Sequence, residues 1–204
     1  SRGLFHLHPA SSQIGRKTQV TVDWRTLRTA APALPPLPLM PKMPNTQLPR
    51  RSPEEQTHLD ITLRYVFEHR SCFNELLGFR VESLDPAAPK ISFAMRHDLI
   101  GHFQHGRLHG GVIATVLDTV GGLAVTVAIA EKFNNESTDQ VSQRFGRIGT
   151  IDLRTDFLHQ GVGKKFTATG RITRLGGRIA SVQMTLENEE GILIATGGGA
   201  YVVS

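Results

Sequence analysis

The residues best suited to chemistry lie in one apolar segment, residues 108–130, whose only ionisable side chains are His109 and Asp118. The segment opens with the flexible pair Gly110-Gly111, and Asp118 follows two helical turns later. A carboxylate in such surroundings is costly to desolvate unless it is paired or used in a reaction. Asp118 is therefore the first residue whose presence needs an explanation.

Two structural interpretations compete with a catalytic one. The segment is long enough to cross a bilayer, for which about 20 apolar residues suffice. Four glycines lie inside it, however, and the residues that follow alternate like half-buried strands, so we expect no membrane span. The stronger alternative is a buried core helix whose Asp118 is satisfied by hydrogen bonds.

The surrounding sequence predicts an α+β fold. Ser52 as a cap, Pro53 at the first position and acids in the first turn indicate a helix that runs to about Leu77 and ends at Gly78. The apolar helix, at 109–131, must be enclosed on most sides, which an antiparallel sheet curved around it would achieve. The predicted strands are Phe79–Leu84, Lys90–Arg96, Ile148–Leu158, Lys164–Leu175, Arg178–Glu187 and Ile192–Val202, and the segments 97–108 and 134–146 are predicted loops.

Charge and composition divide the chain at residue 53. Residues 1–53 carry eight Lys/Arg and one acid, and eight of the residues from 31 to 53 are prolines, which predicts a basic, disordered extension. Residues 54–204 carry fifteen Lys/Arg against seventeen Asp/Glu, so the predicted domain offers no nucleic-acid-binding surface. The single cysteine, Cys72, fits a reducing compartment and is expected to be a small packed side chain. We expect a cytoplasmic protein, with organellar targeting by the acid-poor tail left open.

The spacing of the glycines and the acid resembles a known family. Leu108-His109-Gly110-Gly111, with Asp118 nine residues after His109, resembles the signature of hotdog-fold acyl-CoA thioesterases of the phenylacetyl-CoA thioesterase type. The segments 150–161 and 194–201 are similar to that family's central and last strands. The resemblance implies a hotdog fold over residues 54–204, in which an antiparallel sheet wraps around a long central helix. It also implies a homodimer or a dimer of dimers with active sites at the interface.

The resemblance implies hydrolysis of an acyl-CoA to free acid and CoA, with no cofactor and no metal. In this family the first glycine, here Gly110, offers its backbone N–H to the thioester oxygen, as a helix N-terminus can. Asp118 acts as nucleophile or as general base, helped by burial, which raises the proton affinity of a carboxylate. Thr150 matches a small hydroxyl that the partner protomer contributes. The residues predicted to contact the substrate are His109, Gly111 and Phe103.

One position departs from the family pattern. The family often has an asparagine shortly before the His-Gly-Gly motif, and His102 stands there in this chain. Histidine can still donate a hydrogen bond, although its charge changes with pH near neutrality. We therefore include His102 among the predicted catalytic residues.

Other functions remain open at this point. Gly101-His102-Phe103 also resembles the loop of hotdog hydroxyacyl dehydratases, where a histidine works with a helix acid. A non-catalytic acyl-CoA-binding module is a further alternative, although such a module has no need of Asp118. A metal site built from His102, His105 and His109 is the least favoured, since no fourth ligand is obvious.

Overall fold

The computed structural model describes residues 49–204, so the predicted tail lies outside it apart from its last five residues. Two helical segments come first in the chain, and the six strands of the main sheet follow. The long apolar helix lies in sequence between the second and the third of these six strands. The elements are α1 (Pro53–Tyr65), α2 (Cys72–Leu77), β1 (Arg80–Ser83), β2 (Lys90–Ala94), β3 (Ile100–His102), β4 (Arg107–Leu108), α3 (Gly110–Lys132), α4 (Thr138–Phe145), β5 (Gly149–Phe157), β6 (Lys165–Leu175), β7 (Ile179–Asn188) and β8 (Leu193–Val202).

The main sheet is antiparallel and has the strand order β1-β2-β6-β7-β8-β5. Helix α3 packs against β6, β7, β5 and β8, and its buried side chains form the centre of the core. The strands β3 and β4 pair separately as a small hairpin just before α3. This arrangement confirms the predicted hotdog architecture, in which the sheet wraps around one long helix.

Helix α3 is the one helix among the described residues that is long and apolar enough to cross a bilayer. Most of it is buried inside the protein, and the core helix of a globular domain has the same composition. Core side chains such as Leu117, Val120 and Leu123 are fully enclosed. The burial of α3 therefore favours the core helix over the membrane span.

The predicted continuous helix from Pro53 to Leu77 is broken in two. The start is as predicted, because the Ser52 side chain caps α1 by accepting from the Glu55 N–H at 3.2 Å. After Tyr65 the chain forms a π-turn over Val66–Arg70 and then becomes extended at Ser71. The Asn74 side-chain amide donates to the Phe67 carbonyl at 3.0 Å, so it satisfies a backbone oxygen that the break exposes.

The helical segment ends at Gly78 as predicted, whereas the predicted packing of its cysteine is wrong. Gly78 ends α2 with φ +72°, a left-handed conformation that glycine adopts at little cost. Cys72 was predicted to be packed but is exposed. It is the first residue of α2, immediately after the break at Ser71, and the buried residues of this short helix are Asn74 and Leu77 instead.

The predicted loop at 134–146 contains a helix, α4. Ser137 accepts from the Gln140 N–H at 3.3 Å, and the Gln140 side chain accepts from the Ser137 N–H at 3.0 Å. This reciprocal pair is a capping box, which the Ser-x-x-Gln spacing could have revealed. Glu55 holds α4 against α1, since its carboxylate accepts from the Thr138 N–H at 2.6 Å.

Strand β5 contains a bulge that changes its alternation. Thr150 pairs with Tyr201 and Asp152 pairs with Ala200, which leaves Ile151 as the extra residue. Strict alternation along β5 would place Ile151 on the same face as Leu153, but Ile151 is the extra residue of the bulge and is 55% exposed. A bulge moves one residue out of the two-residue repeat, so Thr150 and Leu153 lie on the same face.

Candidate active site

Asp118 is held by two hydroxyl groups from the sheet. The Thr150 hydroxyl donates to Asp118 Oδ1 at 2.8 Å, and the Tyr201 hydroxyl lies 3.2 Å from the same oxygen. Tyr201 also reaches the Asp118 backbone carbonyl at 3.1 Å. The carboxylate is half-buried in the protomer rather than fully enclosed as expected. Both hydroxyl groups thus donate to the same one of the two carboxylate oxygens.

Thr150 makes this contact within one chain. The prediction that a partner protomer supplies the hydroxyl beside Asp118 is therefore wrong for this hydrogen bond. The physical reason is the β5 bulge, which turns Thr150 to the inward face next to its cross-strand neighbour Tyr201. Strict alternation through Leu153 would have placed Thr150 on the opposite face.

The Tyr201 hydroxyl is a permanent hydrogen-bond donor at physiological pH. The side chain is 1% exposed, and burial is the main reason that the pKa of Tyr201 is raised well above its usual value. The neighbouring Asp118 carboxylate raises this pKa further, because a second negative charge there would be repelled. The phenol therefore keeps its proton and donates it toward Asp118.

Asp118 opens into an apolar cavity of about 320 Å³ beneath the first helical segment. Along α3 the cavity runs from Asp118 past Gly122 to Thr126, which a rise of 1.5 Å per residue places about 12 Å away. Its other apolar walls come from α1, the π-turn, α4, the residue before β5, and β8: Leu63, Val66, Phe67, Phe145, Ile148 and Tyr201. The broken helix thus forms the roof of a cavity whose polar end is Asp118.

The start of α3 presents a free backbone donor. His109 caps the helix, since its Nδ1 accepts from the Gly111 N–H at 2.9 Å. Among the described residues the Gly110 N–H has no acceptor. A helix N-terminus carries partial positive charge, so this N–H is suited to bind an oxyanion. The placement of Gly110 matches the role that the sequence resemblance implied, which stays a prediction.

A second cavity, of about 510 Å³, lies beside the helix start. His109, Gly111 and Thr115 form its α3 side, and Phe73 and Leu76 of α2 lie opposite them. Both α2 side chains are more than half exposed. His109 and Gly111 line this cavity, and their contact with the substrate stays a prediction.

The two groups of residues are too far apart to act on one carbonyl within a single chain. Eight residues of helix separate Gly110 from Asp118, which is about 12 Å along the axis. A thioester carbonyl must lie about 3 Å from both its oxyanion donor and its attacking group, and the Asp118 side chain is short. Within one protomer, Asp118 and the start of α3 are therefore two separate groups.

The structure does not bring His102 and Phe103 to Asp118. They lie on the β3–β4 hairpin, where the His102 ring stacks on His105 at a centroid distance of 4.8 Å and on Phe103 at 5.8 Å. Phe103 is 86% exposed, and His102 Nδ1 is buried without a hydrogen-bond partner within residues 49–204. This hairpin lies beside the start of α3, because Gly101 packs directly on His109.

The histidines do not form a metal centre in the part of the chain that the structure describes. No group of three or more His, Cys, Asp or Glu side chains is arranged there to hold an ion. His109 Nδ1 is occupied by the Gly111 N–H. The role of His109 is that of a helix cap.

Tyr201 and Gly121 are the site residues that the sequence analysis missed. Tyr201 lies 83 residues from Asp118 in sequence, and only the pairing of β5 with β8 brings it next to Thr150. Gly121 contacts the Tyr201 ring, and a Cβ there would lie 2.8 Å from Tyr201 Cζ. The sequence shows that Gly121 lies in the apolar helix near Asp118. It does not show that Gly121 contacts Tyr201.

Comparisons with known proteins show which family the chain belongs to. Residues 105–195, which span the helix start, α3 and most of the sheet, match the family model of the thioesterase superfamily. A medium/long-chain acyl-CoA thioesterase, YigI, of Escherichia coli strain K12 is 36% identical over 138 residues, which are 68% of this chain and 89% of that protein. The YigI protein of Salmonella typhimurium matches to the same extent.

A solved structure shows the same fold. A protein from Shewanella oneidensis related to the thioesterase superfamily superimposes with a TM-score of 0.70 at 36% identity, over 76% of this chain and 100% of that one. The fold and site define a hotdog protein with a carboxylate on its central helix. The chain belongs to the thioesterase superfamily, and its enzyme class is that of a thioester hydrolase.

Proposed function

We propose that the protein hydrolyses acyl-CoA to free acid and CoA, with Asp118 as the group that activates the attack. The observation that carries the proposal is a carboxylate on the central helix, held by two hydroxyls on one oxygen and facing an apolar cavity. A buried core carboxylate with a purely structural role would need no such cavity. The YigI relatives are acyl-CoA thioesterases, which supports acyl-CoA as the substrate.

The chemistry follows from these groups. Asp118 takes a proton from water, the water oxygen attacks the thioester carbonyl carbon, and the Gly110 N–H of a second protomer binds the resulting oxyanion. The C–S bond then breaks, and the CoA thiolate leaves with the proton that Asp118 returns. Direct attack by Asp118 is the alternative: its free oxygen displaces the CoA thiolate to form an acyl anhydride, which water then hydrolyses to the free acid and the Asp118 carboxylate.

The active enzyme is therefore a homodimer or a larger even-numbered assembly. The distance of about 12 Å along α3 separates the activating group from the oxyanion donor within each chain. Two chains related by a two-fold axis bring the helix start of one to Asp118 of the other, and such an arrangement completes two sites at once. The exposed edge strand β5 offers a surface for this pairing.

The acyl group occupies the cavity next to Asp118. Its walls are mainly aliphatic and aromatic, and they extend about 12 Å along α3, so the cavity suits an extended hydrocarbon chain. The YigI relatives act on medium- and long-chain acyl-CoA, which supports the same substrate class here.

A hydrolysis screen tests the proposal. The purified protein is incubated with acyl-CoAs from acetyl to palmitoyl and with phenylacetyl-CoA, and the released CoA thiol is measured. Turnover of medium- or long-chain substrates is expected. A protein that binds acyl-CoA without releasing CoA would instead be a binding module, and this result would refute the proposed activity.

A further inference from the structure

We infer that Tyr201 is a positioning residue that fixes the Asp118 carboxylate so that only one of its oxygens is free to react. The inference rests on the proposed function, because it concerns how the proposed catalytic carboxylate is held. Tyr201 lines the cavity beside Asp118, but it takes no part in bond making or proton transfer in this scheme. It acts through Asp118.

The two oxygens of the Asp118 carboxylate differ in their hydrogen-bond donors. Thr150 at 2.8 Å and Tyr201 at 3.2 Å both donate to Oδ1, whereas no donor within residues 49–204 reaches Oδ2. An oxygen that already accepts two hydrogen bonds is a poor base, because its lone pairs are engaged. The free Oδ2 is thus left to take a proton from water or to attack the substrate.

Tyr201 does more than Thr150 because it also fixes the helix backbone. Its hydroxyl lies 3.1 Å from the Asp118 carbonyl oxygen and 3.2 Å from Oδ1, so its single proton is shared between them in a bifurcated hydrogen bond that links the side chain to the main chain. The ring is fully buried, whereas Thr150 is exposed. A donor with its position fixed by packing on every side limits the rotation of the carboxylate more strongly than an exposed one.

Gly121 provides the space that this contact requires. A Cβ at position 121 would overlap the Tyr201 hydroxyl and lie 2.8 Å from Cζ and 3.2 Å from Cε2. Glycine inside a helix is destabilising by about 1 kcal/mol relative to alanine. The glycine therefore costs helix stability and allows the close approach of the phenol to Asp118.

The test compares kcat and KM for two pairs of variants on a medium-chain acyl-CoA. Tyr201→Phe removes only the hydroxyl, and its control is Tyr65→Phe, the same change at the chain's other tyrosine, which is 54% exposed on α1. Gly121→Ala displaces the phenol, and its control is Gly177→Ala in the β6–β7 turn, where a Cβ meets no atom within 4 Å. Thermal unfolding of all four variants establishes that they are folded.

Tyr201→Phe is expected to lower kcat roughly tenfold to hundredfold, as loss of a hydrogen bond to a charged group does, with KM unchanged. Gly121→Ala should lower kcat as well, and both controls should match the wild type. If the wild type is active and Tyr201→Phe keeps its kcat, or loses kcat only in proportion to its folded fraction, the positioning role is wrong while the proposed function stands. A wild type that hydrolyses no acyl-CoA overturns both.

Discussion

Replacing Gly110 by proline removes one backbone donor and little else. Gly110 is the first residue of α3, where proline is favoured because its fixed φ suits the helix. His109 before it is already extended, at φ −67° and ψ 135°, as a residue preceding proline must be. A Cβ at position 110 would contact the Phe157 ring at 3.5 Å, an ordinary van der Waals distance. The fold should therefore survive the change.

The turnover rate of Gly110→Pro should nevertheless fall steeply. Loss of one oxyanion donor costs roughly a hundredfold to a thousandfold in kcat, or about 2.7–4 kcal/mol of transition-state stabilisation. Gly110→Ala is the matched variant, because it adds the Cβ but keeps the N–H, and it should retain most of the activity. Both are measured by release of the CoA thiol at saturating acyl-CoA. Equal turnover by the proline and alanine variants would show that the N–H at the start of α3 does not bind the oxyanion.

Mixing two inactive variants tests whether the site is shared between chains. Gly110→Pro and Asp118→Asn are each expected to form inactive dimers. In a dimer that contains one of each, the intact Gly110 of one chain meets the intact Asp118 of the other. Random exchange makes about half of the dimers hybrid, each with one complete site, so about a quarter of wild-type activity should return. No recovery in a sample shown to contain hybrids would contradict the argument from the 12 Å separation.

Two further predictions follow from cavity shape and from charge. Gly122 lines the cavity about 6 Å beyond Asp118 along α3, and a Cβ there has no neighbour within 4 Å. Gly122→Leu should therefore reduce turnover of long acyl chains more than that of short ones in a chain-length series, and an unchanged profile would place the acyl chain elsewhere. Backbone and side-chain hydrogen bonds from Thr138 lower the pKa of Glu55 below its unfolded value of 4.5. Glu55 thus stabilises the fold above that pH and loses its contribution as the pH falls through the lower folded pKa. Glu55→Gln should weaken the acid dependence of the unfolding temperature, and an identical pH dependence would argue against this contact.

The elements that the sequence predicted are those with local signals. The apolar run predicted α3 at 109–131, and it spans Gly110–Lys132, because a long hydrophobic segment with a flanking cap is decided by its own residues. Ser52 and Gly78 marked the two ends of the first helical segment for the same reason. The interior break before Ser71 escaped prediction because its stabilising contact, the hydrogen bond from the Asn74 side chain to the Phe67 carbonyl, forms only in the folded chain.

The residues around Asp118 show what a sequence cannot reveal on its own. Asp118 and Gly110 were identified by their spacing, which a single helix fixes. Thr150 was also among the predicted catalytic residues, but no local pattern indicates the bulge at Ile151 that turns it toward Asp118 in its own chain. Tyr201 depends on the register of β5 against β8, a long-range property that local patterns do not encode.

Replacement of Asp118 by asparagine tests the central claim most directly. The amide is nearly isosteric with the carboxylate, and its oxygen can still accept from Thr150 and Tyr201, so folding and acyl-CoA binding should persist. It can neither take a proton from water nor attack a carbonyl, so kcat should fall on the order of a hundredfold to ten-thousandfold. Rapid CoA release by the wild type, with binding but almost no release by Asp118→Asn, is the predicted result. Near-normal turnover by Asp118→Asn would show that the helix carboxylate is structural and that the proposed mechanism is wrong.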